Sequence, residues 1–98
     1  MITKLKICSS IYNIEYINNL VDEHNGRLHG YIEPYNLKIQ INKKYPIIKQ
    51  NQSILHEAIH GINSEYGFDF KEEIVDRLSN AVFAFLIDNK KYIGEIIG

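Results

Sequence analysis

The hydrophobic period of this 98-residue chain changes at residues 42–46, and the change limits the folds that the chain can adopt. Before this point apolar side chains tend to alternate with polar ones, and after it they recur at every third or fourth position. Alternation is typical of a strand with one buried face, whereas the longer period is typical of a helix with one buried side. The chain is therefore predicted to place strands first and helices second, which is an α+β arrangement.

The first part of the chain predicts a small antiparallel or mixed sheet of three or four strands. Polar and apolar side chains alternate over residues 2–9. Residues 11–17 are rich in β-branched and aromatic side chains, although a helical interpretation of residues 14–21 competes with this strand. The best hairpin candidate joins residues 27–32 to residues 37–41 through a short turn that contains a proline.

The first predicted helix begins near Pro46 and carries the stretch His56-Glu57-Ala58-Ile59-His60. Two histidines four residues apart lie about 40° apart around a helix axis, so both imidazoles can bind one Zn²⁺ ion. Glu57 projects beside them and can move a proton for a water molecule that the metal activates. The stretch therefore predicts a metal site with the chemistry of a zinc hydrolase.

A catalytic zinc ion takes three protein ligands and keeps one position open, so a third ligand is expected downstream. The second predicted helix offers Glu72, Glu73 and Asp76. Glu72 is favoured because it borders the apolar side of that helix, while Glu73 shares the solvent side. Asp76 is a further candidate ligand, and it also suits a different role, in which it accepts a hydrogen bond from the second N–H of a zinc-bound histidine.

Each of these side chains also has an ordinary structural explanation. His56 and His60 could be helix residues near the core, and Glu72 could complete a capping box with Asp69, the predicted N-cap of the second helix. If Glu72 caps the helix, Glu73 becomes the better candidate ligand. The glutamate between the histidines and the acidic start of the next helix favour the metal site.

Charge and composition exclude several classes of function. The formal net charge is −1, so no basic surface for nucleic acid is expected, and no apolar run is long enough to cross a membrane. Cys8 is the only cysteine and no signal segment opens the chain, which together favour the cytoplasm. Residues 1–98 are expected to form one domain. The apolar tail at residues 90–98 is expected to add a strand or to contact a partner, as in a homodimer.

The order of these motifs resembles that of the gluzincin metallopeptidases. HExxH on one helix and Glu72-Glu-Ile-Val-Asp76 on the next are similar to the motifs of minigluzincins and of the compact ImmA/IrrE-type peptidases of phages and mobile elements. The resemblance implies one Zn²⁺ ion per chain, bound by His56, His60 and Glu72. It also implies that Glu57 is the general base and that Asp76 supports a histidine ligand.

The resemblance covers residues 37–86 and has implications for substrate binding. A peptide or protein substrate would lie extended along an edge strand of the sheet, with the strand at residues 37–41 as the candidate. Larger gluzincins use a separate histidine or tyrosine to stabilise the oxyanion, and the candidates in this chain are Tyr66, Tyr35 and Tyr45.

The sequence therefore predicts a small zinc metalloendopeptidase that hydrolyses peptide bonds with a zinc-activated water. The alternative is a zinc-stabilised binding, inhibitor or regulatory protein, or a latent proform, in which a fourth protein ligand closes the metal site. The two functions differ in their response to Glu57→Gln. That substitution stops a peptidase without removing its metal, and it leaves a binding protein unaffected.

Overall fold

The computed structural model describes residues 1–98 and has the α+β architecture that the sequence predicts. The strands are β1 (Lys4–Ile7), β2 (Ser10–Ile17), β3 (Gly30–Glu33) and β4 (Lys38–Asn42). The helices are α1 (Ile47–Tyr66), α2 (Glu72–Asp88) and the short α3 (Ile93–Ile96). The change from strands to helices falls where the hydrophobic period changes, and the strand interpretation of residues 11–17 is confirmed.

The four strands form one mixed sheet in the order β1-β2-β4-β3. β1 pairs with β2 antiparallel, β2 with β4 parallel, and β3 with β4 as the predicted antiparallel hairpin. β4 therefore lies inside the sheet, and the prediction that residues 37–41 form an edge strand is wrong. The long connection between β2 and β3 explains this order, because it lets the hairpin turn back and pair its second strand with β2.

α1 covers one face of the sheet, and α2 packs against α1. The buried core cluster combines side chains of β1, β2, β4 and α1, namely Ile7, Tyr12, Ile14, Ile39, Ile41, Ile54 and Ala58. The neighbouring residues on the strands point to the other face and are mostly polar, as in Gln40, which donates a hydrogen bond to Glu15 at 3.1 Å. This alternation is the pattern expected of a sheet with one solvated face.

α2 begins one residue after Lys71, whose backbone is extended, and no side-chain hydrogen bond caps the helix. Asp69 has a left-handed backbone with φ of +61° and lies outside the first turn. The predicted capping box between Asp69 and Glu72 is therefore wrong. The Glu72 carboxylate, in the first helical position, is free to contact α1.

The apolar tail forms α3 instead of the additional strand that was one of its two predicted roles. Ile96 and Ile97 stay exposed at its end. A homodimer contact through this tail stays a prediction. None of the helices is both long and apolar enough to span a membrane.

Asn42 is fully buried at the end of β4 and connects the β2–β3 segment to the sheet. Its Nδ2 donates to the carbonyls of Leu28 at 2.9 Å and Leu20 at 3.4 Å, and its Oδ1 accepts from the Lys44 N–H at 3.0 Å. We expect Asn42→Ala to lower the free energy of unfolding by about 2 kcal/mol, because it leaves buried main-chain groups without partners. Urea unfolding measures this. The exposed Asn13→Ala is the control, and an equal loss in both variants contradicts the expectation.

Candidate metal centre and active site

α1 holds His56 and His60 at the boundary between the core and an open cleft. Ile54 and Ala58 of the same helix are buried against the sheet and fix its orientation. The two histidine side chains stay 19% and 27% exposed, and their ring centres are 4.9 Å apart. Both imidazoles can therefore reach one metal ion that enters from the cleft.

The loop between α1 and α2 is held by the side chain of Asn63, which lies one turn beyond His60. Its Nδ2 donates to the Phe70 carbonyl at 3.0 Å, and its Oδ1 accepts from the Phe70 N–H at 2.9 Å. Gly67, with φ of +67°, ends α1 and lets the chain turn. These contacts fix the approach of α2 and place its first residue, Glu72, beside the histidines.

The structure brings His56, His60 and Glu72 together, as the sequence predicts. Oε1 of Glu72 lies 3.0 Å from Nε2 of His56, and Oε2 lies 2.7 Å from Nε2 of His60. One donor atom from each residue lies within 4.8 Å of the other two. Two imidazoles and a carboxylate are the donor set of a catalytic zinc site and also suit other divalent transition metals. The alternative ligand Glu73 does not belong to this cluster.

Glu57 is buried beside this cluster and is only 7% exposed. Its pKa is raised from 4.5 to about 7, first by burial and second by the negative charge of Glu72. Gly30 of β3 makes the close packing feasible, because a Cβ atom there would lie 3.2 Å from Cγ of Glu57. A carboxyl group with a pKa near neutrality can both accept and donate a proton.

The second ring nitrogen of His56, Nδ1, faces α2. Oδ1 of Asp76 lies 3.6 Å from it, just beyond hydrogen-bonding distance, and Oγ of Ser79 lies closer at 3.2 Å. Asp76 is thus beside His56 as predicted, but the nearer group belongs to a residue that the sequence reasoning missed. The signal was available, because Ser79 follows Glu72 by seven residues and so lies on the same side of an α-helix.

A cleft of about 690 Å³ adjoins the cluster. Residues 27–31, which lead into β3 and begin it, line one side of the cleft, and residues of α1 and α2 line the rest. Besides the site residues, its mainly polar lining includes Arg27, His29, Tyr31, Lys49 and Gln52. The cleft gives an extended ligand access to the cluster from solvent.

The predicted oxyanion donor Tyr66 does not line this cleft. Its ring stacks on Phe68 in the loop after α1, with ring centres 5.9 Å apart, and it is 66% exposed. Tyr45 packs edge-on against His29 with ring centres 4.3 Å apart, and Tyr35 is fully exposed in the β3–β4 turn. The structure thus brings none of the three tyrosines into the cleft.

The gluzincin resemblance rests on HExxH in α1 and on Glu72 and Asp76 in α2, and these residues do meet in the structure. Membership of that family stays a prediction. Comparison of the chain with protein-family models, with curated proteins and with solved structures found no match.

Proposed function

We propose that this protein is a gluzincin-like zinc metalloendopeptidase that acts in the cytoplasm. The observation that carries the proposal is the meeting of His56, His60 and Glu72 beside the buried Glu57 at an open cleft. Three protein ligands leave one coordination position for water or substrate, as a catalytic zinc ion requires. The free thiol of Cys8 fits a reducing compartment.

The chemistry assigned to this site is hydrolysis of a peptide bond. A zinc ion, when bound, supplies a water of lowered pKa and polarises the scissile carbonyl. Glu57 is ionised beside a bound cation, because the positive charge lowers its pKa, and it takes the proton of the attacking water. Glu57 then returns this proton to the amine that leaves. Its burial supports the first step, since a poorly solvated carboxylate takes up a proton readily.

The free edge of β3 supports strand addition by an extended peptide. The Asn42 N–H donates to the His29 carbonyl at 2.9 Å, and in an antiparallel pair every second residue bonds to the neighbouring strand. Gly30 and Ile32 therefore direct their N–H and C=O groups away from β4. A peptide that pairs with them passes beside Glu57, because Gly30 packs against that side chain. β3 thus replaces the interior strand as the proposed substrate-binding edge.

Metal content tests the proposal directly. We expect about one zinc per chain in wild-type protein from metal-replete medium, and almost none in His60→Ala or Glu72→Ala, because each removes a ligand. Glu73→Ala is the matched control, one position along the same helix turn, and should keep its zinc. Elemental analysis of the purified proteins gives these values.

Peptide cleavage completes this test. The zinc-loaded protein is incubated with a mixture of unstructured peptides, and the products are identified by mass spectrometry. Cleavage should disappear with a chelator and return with zinc. A wild-type protein that takes up no stoichiometric zinc refutes the proposed zinc peptidase activity. Zinc retained by Glu72→Ala refutes the assignment of Glu72 as the third ligand.

A further inference from the structure

The two ring nitrogens of His56 face different groups, so one can bind a metal while the other forms a hydrogen bond. Nε2 faces Oε1 of Glu72 at 3.0 Å, and Nδ1 faces α2. A ligand histidine binds metal through an unprotonated nitrogen, and the hydrogen bond of the other nitrogen selects this tautomer. The group that accepts a hydrogen bond from Nδ1 therefore decides whether His56 is ready to bind.

The hydroxyl of Ser79 is placed to act as an acceptor toward His56. A serine hydroxyl has one hydrogen, and Oγ of Ser79 donates it to the main-chain carbonyl of Asp76 at 3.0 Å. The remaining lone pairs of Oγ face Nδ1 of His56 at 3.2 Å. This arrangement favours the tautomer of His56 that carries its proton on Nδ1 and directs the lone pair of Nε2 at Glu72.

In that orientation two hydrogen-bond acceptors, Nε2 of His56 and the Glu72 carboxylate, face each other. The lone pair of Nε2 and the carboxylate of Glu72, 3.0 Å apart, repel unless a cation lies between them. In the loaded protein the metal serves this purpose. The bond to Ser79 therefore favours occupation of the site.

Burial distinguishes Ser79 from Asp76, to which the family pattern gives the supporting role. Ser79 is fully buried on the side of α2 that packs against α1, next to the equally buried Val75. The Asp76 side chain is 59% exposed, and its Oδ1 lies 3.6 Å from Nδ1. A buried hydroxyl that donates its hydrogen to the main chain is a fixed acceptor. An exposed carboxylate instead forms hydrogen bonds with solvent water.

We propose that Ser79 is the positioning residue that holds His56 as its Nδ1–H tautomer, ready to bind metal through Nε2. The inference rests on the proposed metal site. Ser79 acts on one ligand only, because its Oγ faces His56, whereas His60 pairs with Glu72 through Nε2.

The test compares Ser79→Ala with Asp76→Asn, which keeps the size of the side chain. Ser79→Ala should weaken zinc binding by about 10- to 100-fold, measured by competition with a chromogenic chelator, while Asp76→Asn should change it less than about 3-fold. Thermal unfolding of the metal-free proteins shows that both variants fold. Equal affinities of Ser79→Ala and wild type, or a larger loss in Asp76→Asn, overturn the proposal.

A spectroscopic measurement separates this inference from the proposed function. In ¹⁵N-edited spectra the His56 Nδ1–H proton should exchange slowly with water in wild type and rapidly in Ser79→Ala, with or without zinc. If the wild type binds no zinc, both the proposed metal centre and the role of Ser79 in metal binding are refuted. If zinc binds normally but the signal is unchanged in Ser79→Ala, only the role of Ser79 is refuted.

Discussion

Glu57→Gln is expected to lower the rate of peptide hydrolysis by about 1,000-fold while the protein keeps its full zinc content. Glutamine has nearly the same shape as glutamate but cannot accept the proton of the attacking water. The ligand atoms belong to His56, His60 and Glu72, so the substitution leaves the metal donors in place. The measurement is kcat/KM for a cleaved peptide, with the zinc content of the same preparation.

Glu65→Gln is the matched control, because Glu65 is an exposed glutamate on the same helix. Its activity should equal that of wild type. A Glu57→Gln variant that still cleaves within tenfold of wild type removes Glu57 from the mechanism. If neither the wild type nor Glu57→Gln cleaves any peptide although both bind zinc, the alternative function, a zinc-stabilised binding or regulatory protein, takes precedence.

The metal-free protein is expected to lose stability relative to Glu57→Gln as the pH rises. The pKa of Glu57 is about 7 in the folded chain against 4.5 as its ordinary value, so between these pH values the folded state binds more protons than the unfolded state. Stability therefore falls through this window and levels off above it. The pKa difference corresponds to about 3 kcal/mol above pH 7, and burial of the charge is its main cause.

Urea unfolding in the presence of a chelator, from pH 4.5 to pH 8, measures this effect. The free energies of unfolding of wild type and Glu57→Gln should differ least near pH 4.5, and the glutamine variant should be the more stable one at pH 8. Taking the difference between the two proteins cancels the titration of groups that do not interact with Glu57. Added zinc should reduce the difference, because a nearby cation stabilises the Glu57 carboxylate. A difference that does not vary with pH contradicts the raised pKa.

Much of the candidate site could be predicted because its signals are local. The spacing of His56 and His60 determines their common side on any helix, whatever the rest of the fold does. The choice of Glu72 over Glu73 followed from the angular position of each residue around α2, and the structure places Glu72 in the cluster.

The sequence-based interpretation of the first turn of α2 was less reliable. Asp69 and Glu72 have the spacing of a capping box, but a capping box also requires a particular backbone conformation. Asp69 instead has a left-handed φ of +61°, and the Asn63 side chain holds the main chain of Phe70. A contact from the preceding helix therefore outweighed a local preference, and the spacing alone could not show it.

The sequence by itself determined the class of elements, their order and the residues most suited to bind a metal, because hydrophobic period and helical spacing are properties of neighbouring residues. Only the tertiary structure decided which strand forms the edge and which group lies nearest Nδ1 of His56. Both depend on contacts between distant parts of the chain. β4 pairs with β2 although β3 lies between them in the sequence, and Ser79 contacts His56 from another helix. Such pairings follow from how all the elements pack together.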